Sequence, residues 1–285
     1  MNADLHLHTT FSDGTYSPEE LAREARRHQL AAVALTDHDT VEGCARMAAA
    51  CSREGIEFIP GTELTAEAEG NELHILGYYL DTHHAGLLAP MPRFQDVRIY
   101  RIREMVARLN QLGIALEADA VFAIANCRSP GRPHLARALV QAGICTSLDE
   151  AFDRFLKKGK PAWAPKFKIA AAEAIQLIHN AGGAAVLAHP GLNRCDDFIP
   201  SLVQAGLDGI ECFHTKHTPA QSERYAQLAR GNKLLITGGS DCHGMNKGKP
   251  LIGTVKVPYE LVEHLKVQAA KRALDAGPLI AAGHA

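Results

Sequence analysis

Apolar and polar residues alternate strictly at the start of the chain: Ala3, Leu5 and Leu7 are apolar, while Asp4, His6 and His8 are not. A period of two is the mark of a strand with one packed face, and it puts both imidazoles on the same side. The period then changes. SPEELAREARRHQ reads as a helix with Ser17 as N-cap, Pro18 at the first helical position and Glu20 three residues after the cap, a complete capping box. AAVALTDHD is a short continuous apolar run of the kind buried in parallel sheets, and it ends in His38 between two acids. VEGCARMAAACSREG predicts the next helix, and GIEFIPGTEL a strand ending in Glu63. TAEAEGNELHILGYYLD predicts a hairpin turning near Gly70 and Asn71, with His74 on the returning arm.

From about His84 helical periodicity runs almost unbroken through DVRIYRIREMVARLNQLG, LEADAVFAIAN, PHLARALVQAG and SLDEAFDRFL, with no strand-like run between them. Alternation resumes at AAEAIQLIHNAGGAAVLAHPG, which delivers His189, then at LDGIECFHT and KLLITGGSDCHG, the latter bringing Asp241 and His243. A last helix, YELVEHLKVQAAKRAL, precedes an apolar tail. Strand and helix alternate about seven times, with polar groups at strand C-termini. This predicts an α/β fold, a β/α barrel built from residues 1–83 and 169–285, with a basic helical subdomain inserted at 84–168. A doubly wound open sheet is the alternative, but a barrel better explains how strand ends far apart in sequence meet at one mouth.

Composition narrows the setting. At 285 residues and 46% hydrophobic content the chain can bury a sizeable core. It has no run of 18 apolar residues and no charged-then-apolar leader, so a soluble, cytoplasmic protein without a membrane role or an obligate protein partner is expected. Seven cysteines, odd in number and without CxxC spacing, indicate neither a disulfide framework nor a thiolate zinc site. The net charge of -2 hides an asymmetry: residues 84–168 hold 14 Lys/Arg against 7 Asp/Glu, and the remainder 16 against 25. An acidic scaffold beside a basic insertion suggests cations in one part and an anionic substrate held by the other.

The polar residues at the strand ends are metal-ligand types. Candidates are His6, His8, Asp13, His38, Glu63, His74, His189, Asp241 and His243. Nine are too many for one ion, and the mixed nitrogen and oxygen set suits two or three divalent cations, manganese first, with iron or zinc as alternatives. Three ions against three carboxylates leave a surplus that one phosphate dianion and one hydroxide cancel, which favours phosphoryl chemistry by attack of a metal-held hydroxide. Rival schemes lack their signatures: there is no GxSxG, no GxxxxGK[ST] and no GxGxxG.

HLHT, TDHD, a strand-end Glu, AHP and SDxH, in this order, resemble the polymerase-and-histidinol-phosphatase (PHP) family of metal-dependent phosphoesterases. The resemblance implies a distorted seven-stranded, TIM-like (β/α)7 barrel. It groups His6, His8, Glu63 and Asp241 on one ion, Glu63, His74 and His189 on a second, and Asp13, His38 and His243 on a third, with Glu63 bridging. Asp13, His38, Glu63, Asp241 and His243 are then expected at the reaction itself. GRPHLARALV is similar to a segment of members that act on nucleoside 3',5'-bisphosphates and 5'-phosphorylated oligonucleotides.

The insertion supports an anion site. Arg98, Arg101 and Arg108 share roughly one helix face, with Tyr100 adjacent for a base to stack on, and Arg132, His134 and the amides of a helix N-terminus converge near Pro133. One phosphate at the metals and a second at this basic site describe a bisphosphorylated ligand. The expected function is removal of the 3'-phosphate of adenosine 3',5'-bisphosphate, giving AMP. The alternatives are a 5' to 3' exonuclease on short 5'-phosphorylated RNA, a histidinol-phosphate phosphatase and a non-catalytic metal-binding module. His214 and His217 are further candidates for proton transfer or phosphate contact, Asp39 for orienting an imidazole, and Cys242 for filling space between ligands.

Overall fold

The structure is a computed structural model that describes residues 1–166 and 168–275. The apolar tail lies outside these residues. Nine strands are present among them: β1 (Asn2–Asp4), β2 (Leu30–Leu35), β3 (Glu57–Ala68), β4 (Asn71–Tyr78), β5 (Ile169–Ala170), β6 (Ala184–Leu187), β7 (Gly209–His214), β8 (Leu235–Gly239) and β9 (Val257–Pro258). They pair in the order β8-β7-β6-β4-β3-β2-β1-β9, with β5 added to β3. The ends of that order approach each other: Leu5 N donates to Gly238 O over 3.3 Å, and Leu7 bridges Cys242 in parallel. The sheet is therefore a nearly closed barrel, as expected, and not an open doubly wound sheet.

Seven strands form the wall, and six of them alternate with helices. The exception is β4, antiparallel to both β3 and β6. The hairpin turns at Glu69 and Gly70, one residue earlier than the sequence suggests. Both have positive φ, 49° and 78°, the left-handed pair that primed hairpin turns require. Ser17 and Glu20 make the capping box, with Pro18 starting the helix Pro18–Arg27. Residues 85–156 contain helices and no strand, and sixteen buried residues between Ile102 and Ala164, among them Met105, Leu109, Leu135 and Leu139, form an apolar cluster of their own. A separate cluster joins Ala3, Leu5, Ala34, Ile59, Leu76 and Val186 of the wall to Val262 and Leu265 of the last helix, Tyr259–Asp275. Among the described residues no helix is long and apolar enough to cross a membrane.

At the N-terminal ends of the strands, away from the histidines, buried Asp208 ties three elements together. Its Oδ2 accepts from Ala185 N and faces His179 Nε2, both at 2.8 Å, and its Oδ1 accepts from Arg272 Nη2 at 2.7 Å and Gln268 Nε2 at 2.8 Å. Burial pushes this carboxyl up, but His179, Arg272 and the Ala185 amide outweigh it and hold the folded pKa below its ordinary 3.8. The stabilisation is therefore complete above that value and is lost as pH falls through the lower, folded one. Asp208→Ala should cost about 1.5–3 kcal/mol at neutral pH, the range for hydrogen bonds to a charged group. The gap from wild type, measured by urea unfolding, should narrow below pH 4. A gap of constant size would mean that packing, not the ionised carboxylate, is the source.

Candidate metal centre

β1 ends at Asp4, and the chain continues past it to bring His6 and His8, both fully buried, into the barrel mouth. Asp37 fixes the loop that follows: its Oδ1 accepts from Thr9 N at 2.8 Å, and its carboxylate also takes the hydroxyls of Thr9 and Ser12. That loop positions Asp13.

Glu63 is the hub. Its Oε2 lies 3.2 Å from His6 Nε2, 3.2 Å from His8 Nε2 and 3.0 Å from His38 Nδ1. Its Oε1 lies 2.6 Å from His74 Nδ1 and 3.0 Å from His189 Nε2. Asp241 Oδ1 approaches His8 Nε2 at 3.2 Å and His6 Nε2 at 3.4 Å, and Asp13 Oδ1 approaches His243 Nε2 at 3.1 Å. All nine ligand candidates therefore meet in one place. Two of them hold left-handed backbone, His189 with φ 28° and Asp241 with φ 52°, conformations that cost energy and gather where a site demands a fixed direction.

Four sets of three or four residues place one ligand atom each within 4.8 Å of one another: His8, Asp13, His38 and His243; His6, His8 and Asp241; His6, Glu63 and His189; and His38, Glu63 and His74. Two of the expected groupings reappear in altered form: His8 joins Asp13, His38 and His243, and His6, His8 and Asp241 stand together without Glu63. The third divides, because Glu63 Oε1 is shared by His74 and His189 while His6 and His38 crowd in from either side.

Hydrogen bonding alone does not account for this arrangement. His8 has two carboxylate oxygens 3.2 Å from Nε2, yet neither ring nitrogen makes a hydrogen bond, and Asp13 Oδ1 and His38 Nδ1 are also buried without one. Buried imidazoles and carboxylates gathered at ligand spacing, with their polar atoms unpaired, fit divalent cations. Burial works to raise the carboxyls of Asp13, Glu63 and Asp241. The surrounding imidazoles outweigh it and hold all three well below the usual range, so they stand ready as anionic ligands.

Sequence reasoning missed Glu211. It is buried on β7, its Oε1 lies 2.9 Å from His6 Nδ1, and its Oε2 accepts from His189 N at 2.8 Å, so it orients one ligand ring and fixes the strained loop of another. The available signal was a single acid in an otherwise apolar strand. His214 and His217 are not free for proton transfer. Lys216 N donates to His214 Nδ1, leaving Nε2–H for Asp241 Oδ2 at 3.3 Å, and His217 is held between Gly191 N and Cys212 O. Asp39 pairs with Arg98 rather than with an imidazole. Cys242 is buried between its ligand neighbours, as a filler should be.

Two cavities adjoin the centre. The smaller, about 120 Å³, touches Asp13, His38 and His74 and carries Arg98, Arg101, Arg132 and Lys166. The larger, about 370 Å³, touches Asp241 and His243. Arg98, Arg101 and Arg132 thus reach the expected neighbourhood, joined by Lys166, which sequence reasoning did not single out. Tyr100 does not: two residues along a helix is about half a turn, so it points away and is 70% exposed. His134 is also elsewhere engaged. Its Nδ1 accepts from Gly131 N at 2.9 Å, and burial together with Arg137 pushes the imidazole down to about 4, so it is a neutral tie at the helix start and not an anion contact.

Buried imidazoles and carboxylates converging at the mouth of a β/α barrel define a metal-dependent hydrolase centre. Residues 4–119 match the PHP domain. A 3',5'-nucleoside bisphosphate phosphatase of Chromobacterium violaceum is 34% identical over 260 residues, covering 88% of this chain and 90% of that protein. The 5'-3' exoribonuclease Rnm of Escherichia coli is 33% identical over 84% of each chain. A phosphoribosyl 1,2-cyclic phosphate 1,2-diphosphodiesterase of Eggerthella lenta is 31% identical over 89% of this chain and 98% of its own. A crystal structure from Bifidobacterium adolescentis, classed with metal-dependent phosphoesterases, superposes with a TM-score of 0.87 at 33% identity over 93% of this chain and 96% of that one. The chain belongs to the PHP family of metal-dependent phosphoesterases.

Proposed function

We propose that the protein removes the 3'-phosphate of nucleoside 3',5'-bisphosphates, converting adenosine 3',5'-bisphosphate to AMP and phosphate. The observation that carries this reading is the small cationic cavity beside the metal centre. Arg98, Arg101, Arg132 and Lys166 line a space of about 120 Å³ whose other wall is Asp13, His38 and His74. A phosphate there would sit beside Asp13, His38 and His74, and a simple phosphomonoester has no use for it. The same charge disfavours histidinol phosphate, whose body is cationic.

The overlapping ligand sets suit two or three divalent ions, manganese first, with iron or zinc as alternatives. Such ions supply Lewis acidity and lower the pKa of a coordinated water. The chain's own residues hold and aim: Glu63 bridges the ligand groups, Glu211 and His214 fix His6 and Asp241, and the arginines of the 84–168 insertion orient the non-reacting phosphate. The second reading, exonuclease action on short 5'-phosphorylated RNA, cuts the same type of bond next to the same recognised phosphate, and the larger cavity favours it.

Arg132 sits at the cavity wall with its guanidinium 5.8 Å above the Phe152 ring. Arg132→Ala should lower kcat/KM for adenosine 3',5'-bisphosphate by about 10 to 150-fold, the value of one charge-assisted contact, and leave 3'-AMP far less affected. Phosphate release on both substrates, with histidinol phosphate in the same panel, makes the test. Equal losses on the two nucleotides would overturn the second-phosphate assignment.

A further inference from the structure

We infer that the turn GRPH, residues 131–134, with Ser129 just before it, is a brace for one ion of the metal centre. It supplies no ligand, but it sets Asp13 and His38 where the group of His8, Asp13, His38 and His243 needs them to hold a divalent cation. Ser129, Gly131 and His134 are then positioning residues. The brace depends on the metal centre, whichever phosphate ester is cut there, so it can fail without the proposed function failing.

None of the nine ligand candidates lies in the insertion, yet the insertion meets two of their loops at close range. Ser129 is fully buried, and its hydroxyl donates to the main-chain oxygen of His38 at 2.5 Å. Among the described residues that oxygen has no other donor, so the hydroxyl is what secures the chain where His38 is seated. Cys127 Sγ lies 3.1 Å from the oxygen of Ser12, one residue before Asp13. Gly131 stands against Asp13 itself. A Cβ on residue 131 would come 3.0 Å from Asp13 Oδ2, closer than ordinary van der Waals contact. The backbone there is extended, with φ -132° and ψ 174°, which any residue adopts, so the glycine is needed for space.

His134 explains how the turn keeps that approach. Gly131 N donates to His134 Nδ1 at 2.9 Å, and His134 N donates to Gly131 O at 3.0 Å, so one residue ties both polar groups of the glycine. Pro130 and Pro133 flank the tie and fix φ on either side of it. A buried imidazole that holds no ligand position thus has a use, which is to stiffen the turn. From the opposite side, Asn246 Nδ2 donates to Asp13 O at 3.0 Å, out of the loop that follows His243. Asp13 is clamped between the brace and the loop of a fellow ligand.

The brace is selective. Its hydrogen bonds to the barrel's ligand loops end on Ser12, Asp13 and His38, and among the described residues none runs from 127–137 to the segments carrying Glu63, His74, His189 or Asp241. Removing it should weaken one ion position and spare the others. The same turn lines the small cationic cavity with Gly131, Arg132 and Pro133, so the anion site and this ion group share one structural unit.

Mn2+ binding to the metal-stripped full chain, followed by the electron paramagnetic resonance of the free ion, tests the brace without any substrate. Ser129→Ala and His134→Ala should each bind one Mn2+ about 10 to 100-fold less tightly, the usual cost of losing a group that orients a ligand, and hold the remaining ions as wild type does. Asp13→Asn should lose the same ion, so adding Ser129→Ala to it should remove no further one. Arg128→Ala breaks an exposed pair with Glu42 across the same boundary and should bind Mn2+ as wild type does. Should Ser129→Ala or His134→Ala not fold by circular dichroism, Gly131→Ala, which crowds Asp13 and leaves both hydrogen-bonding side chains in place, carries the test. Wild-type binding in the brace variants overturns the inference, as does an equal weakening of every ion or an equal loss in Arg128→Ala. If the protein hydrolyses no nucleotide at all, the proposed function fails and the brace is still judged by the ion count.

Discussion

Glu63→Gln should lower kcat by about 1000-fold or more, a loss of about 4 kcal/mol of transition-state stabilisation, while leaving the barrel folded. The expectation follows from the carboxylate's position: its two oxygens face five imidazoles from four separate segments, more than any other carboxylate of the site. An amide keeps the shape but removes the charge that holds cations together there, and at least one ion should be lost with it. The fold should survive, because the amide keeps the side chain's volume and Glu63 belongs to none of the barrel's apolar clusters. Metal content, circular dichroism and turnover, measured on one preparation, separate the outcomes. In wild type, chelation should abolish hydrolysis and Mn2+ restore it, and His189→Asn or Asp241→Asn should resemble Glu63→Gln. Full activity in stripped protein would end the metal reading.

The second large effect is on stability. Arg98 Nε lies 2.6 Å from Asp39 Oδ2, both side chains are buried, and the pair is braced by Thr65, whose N–H donates to Asp39 Oδ1 at 2.8 Å and whose hydroxyl accepts from Arg98 Nη2 at 3.2 Å. Arg98 belongs to the helix Met91–Gln111, and Asp39 follows β2, so the contact joins the insertion to the barrel beside the metal centre. Burial raises the Asp39 carboxyl, but Arg98 and Lys166 reverse that and hold it at about 2. Removing the guanidinium leaves a buried charge uncompensated, and such losses cost about 3–5 kcal/mol. Arg98→Ala should thus melt well below wild type, by roughly 10 °C. Replacing the acid in the same background, Arg98→Ala/Asp39→Ala, should recover much of the loss. If the double variant is no more stable than the single one, the pair is not the source.

The ligand candidates were legible because their signal is local. An HxH on an alternating strand, an acid or imidazole at the end of an apolar run and a hairpin arm each follow from spacing within a dozen residues. The barrel's closure then brings them together without further information. Glu211 shows the opposite case: nothing near it in sequence reveals that a lone acid on β7 will face His6, 205 positions away. Residues 85–156 are helical, as their periodicity suggests, yet the fate of each cation there depended on partners in other segments. Arg98 found Asp39, and His134 turned back on Gly131. Tyr100 was misplaced for a simpler reason, since neighbours along a helix do not share a face.

The β3–β4 hairpin bears on the order in which the protein assembles. Glu63 and His74 are only 11 residues apart, and the reversal at Glu69 and Gly70 pairs their strands along eight consecutive registers, Gly61 with Tyr78 through Ala68 with Asn71. Every other wall pairing must close a loop around a helix or around the whole insertion, which is slow because chain entropy is lost before contacts form. The hairpin has no such cost. It is the low-contact-order segment of a high-contact-order barrel, and it carries the hub carboxylate on one arm and one of its imidazoles on the other. Folding that starts there puts Glu63 in place first, and the strands that arrive later add their histidines around it.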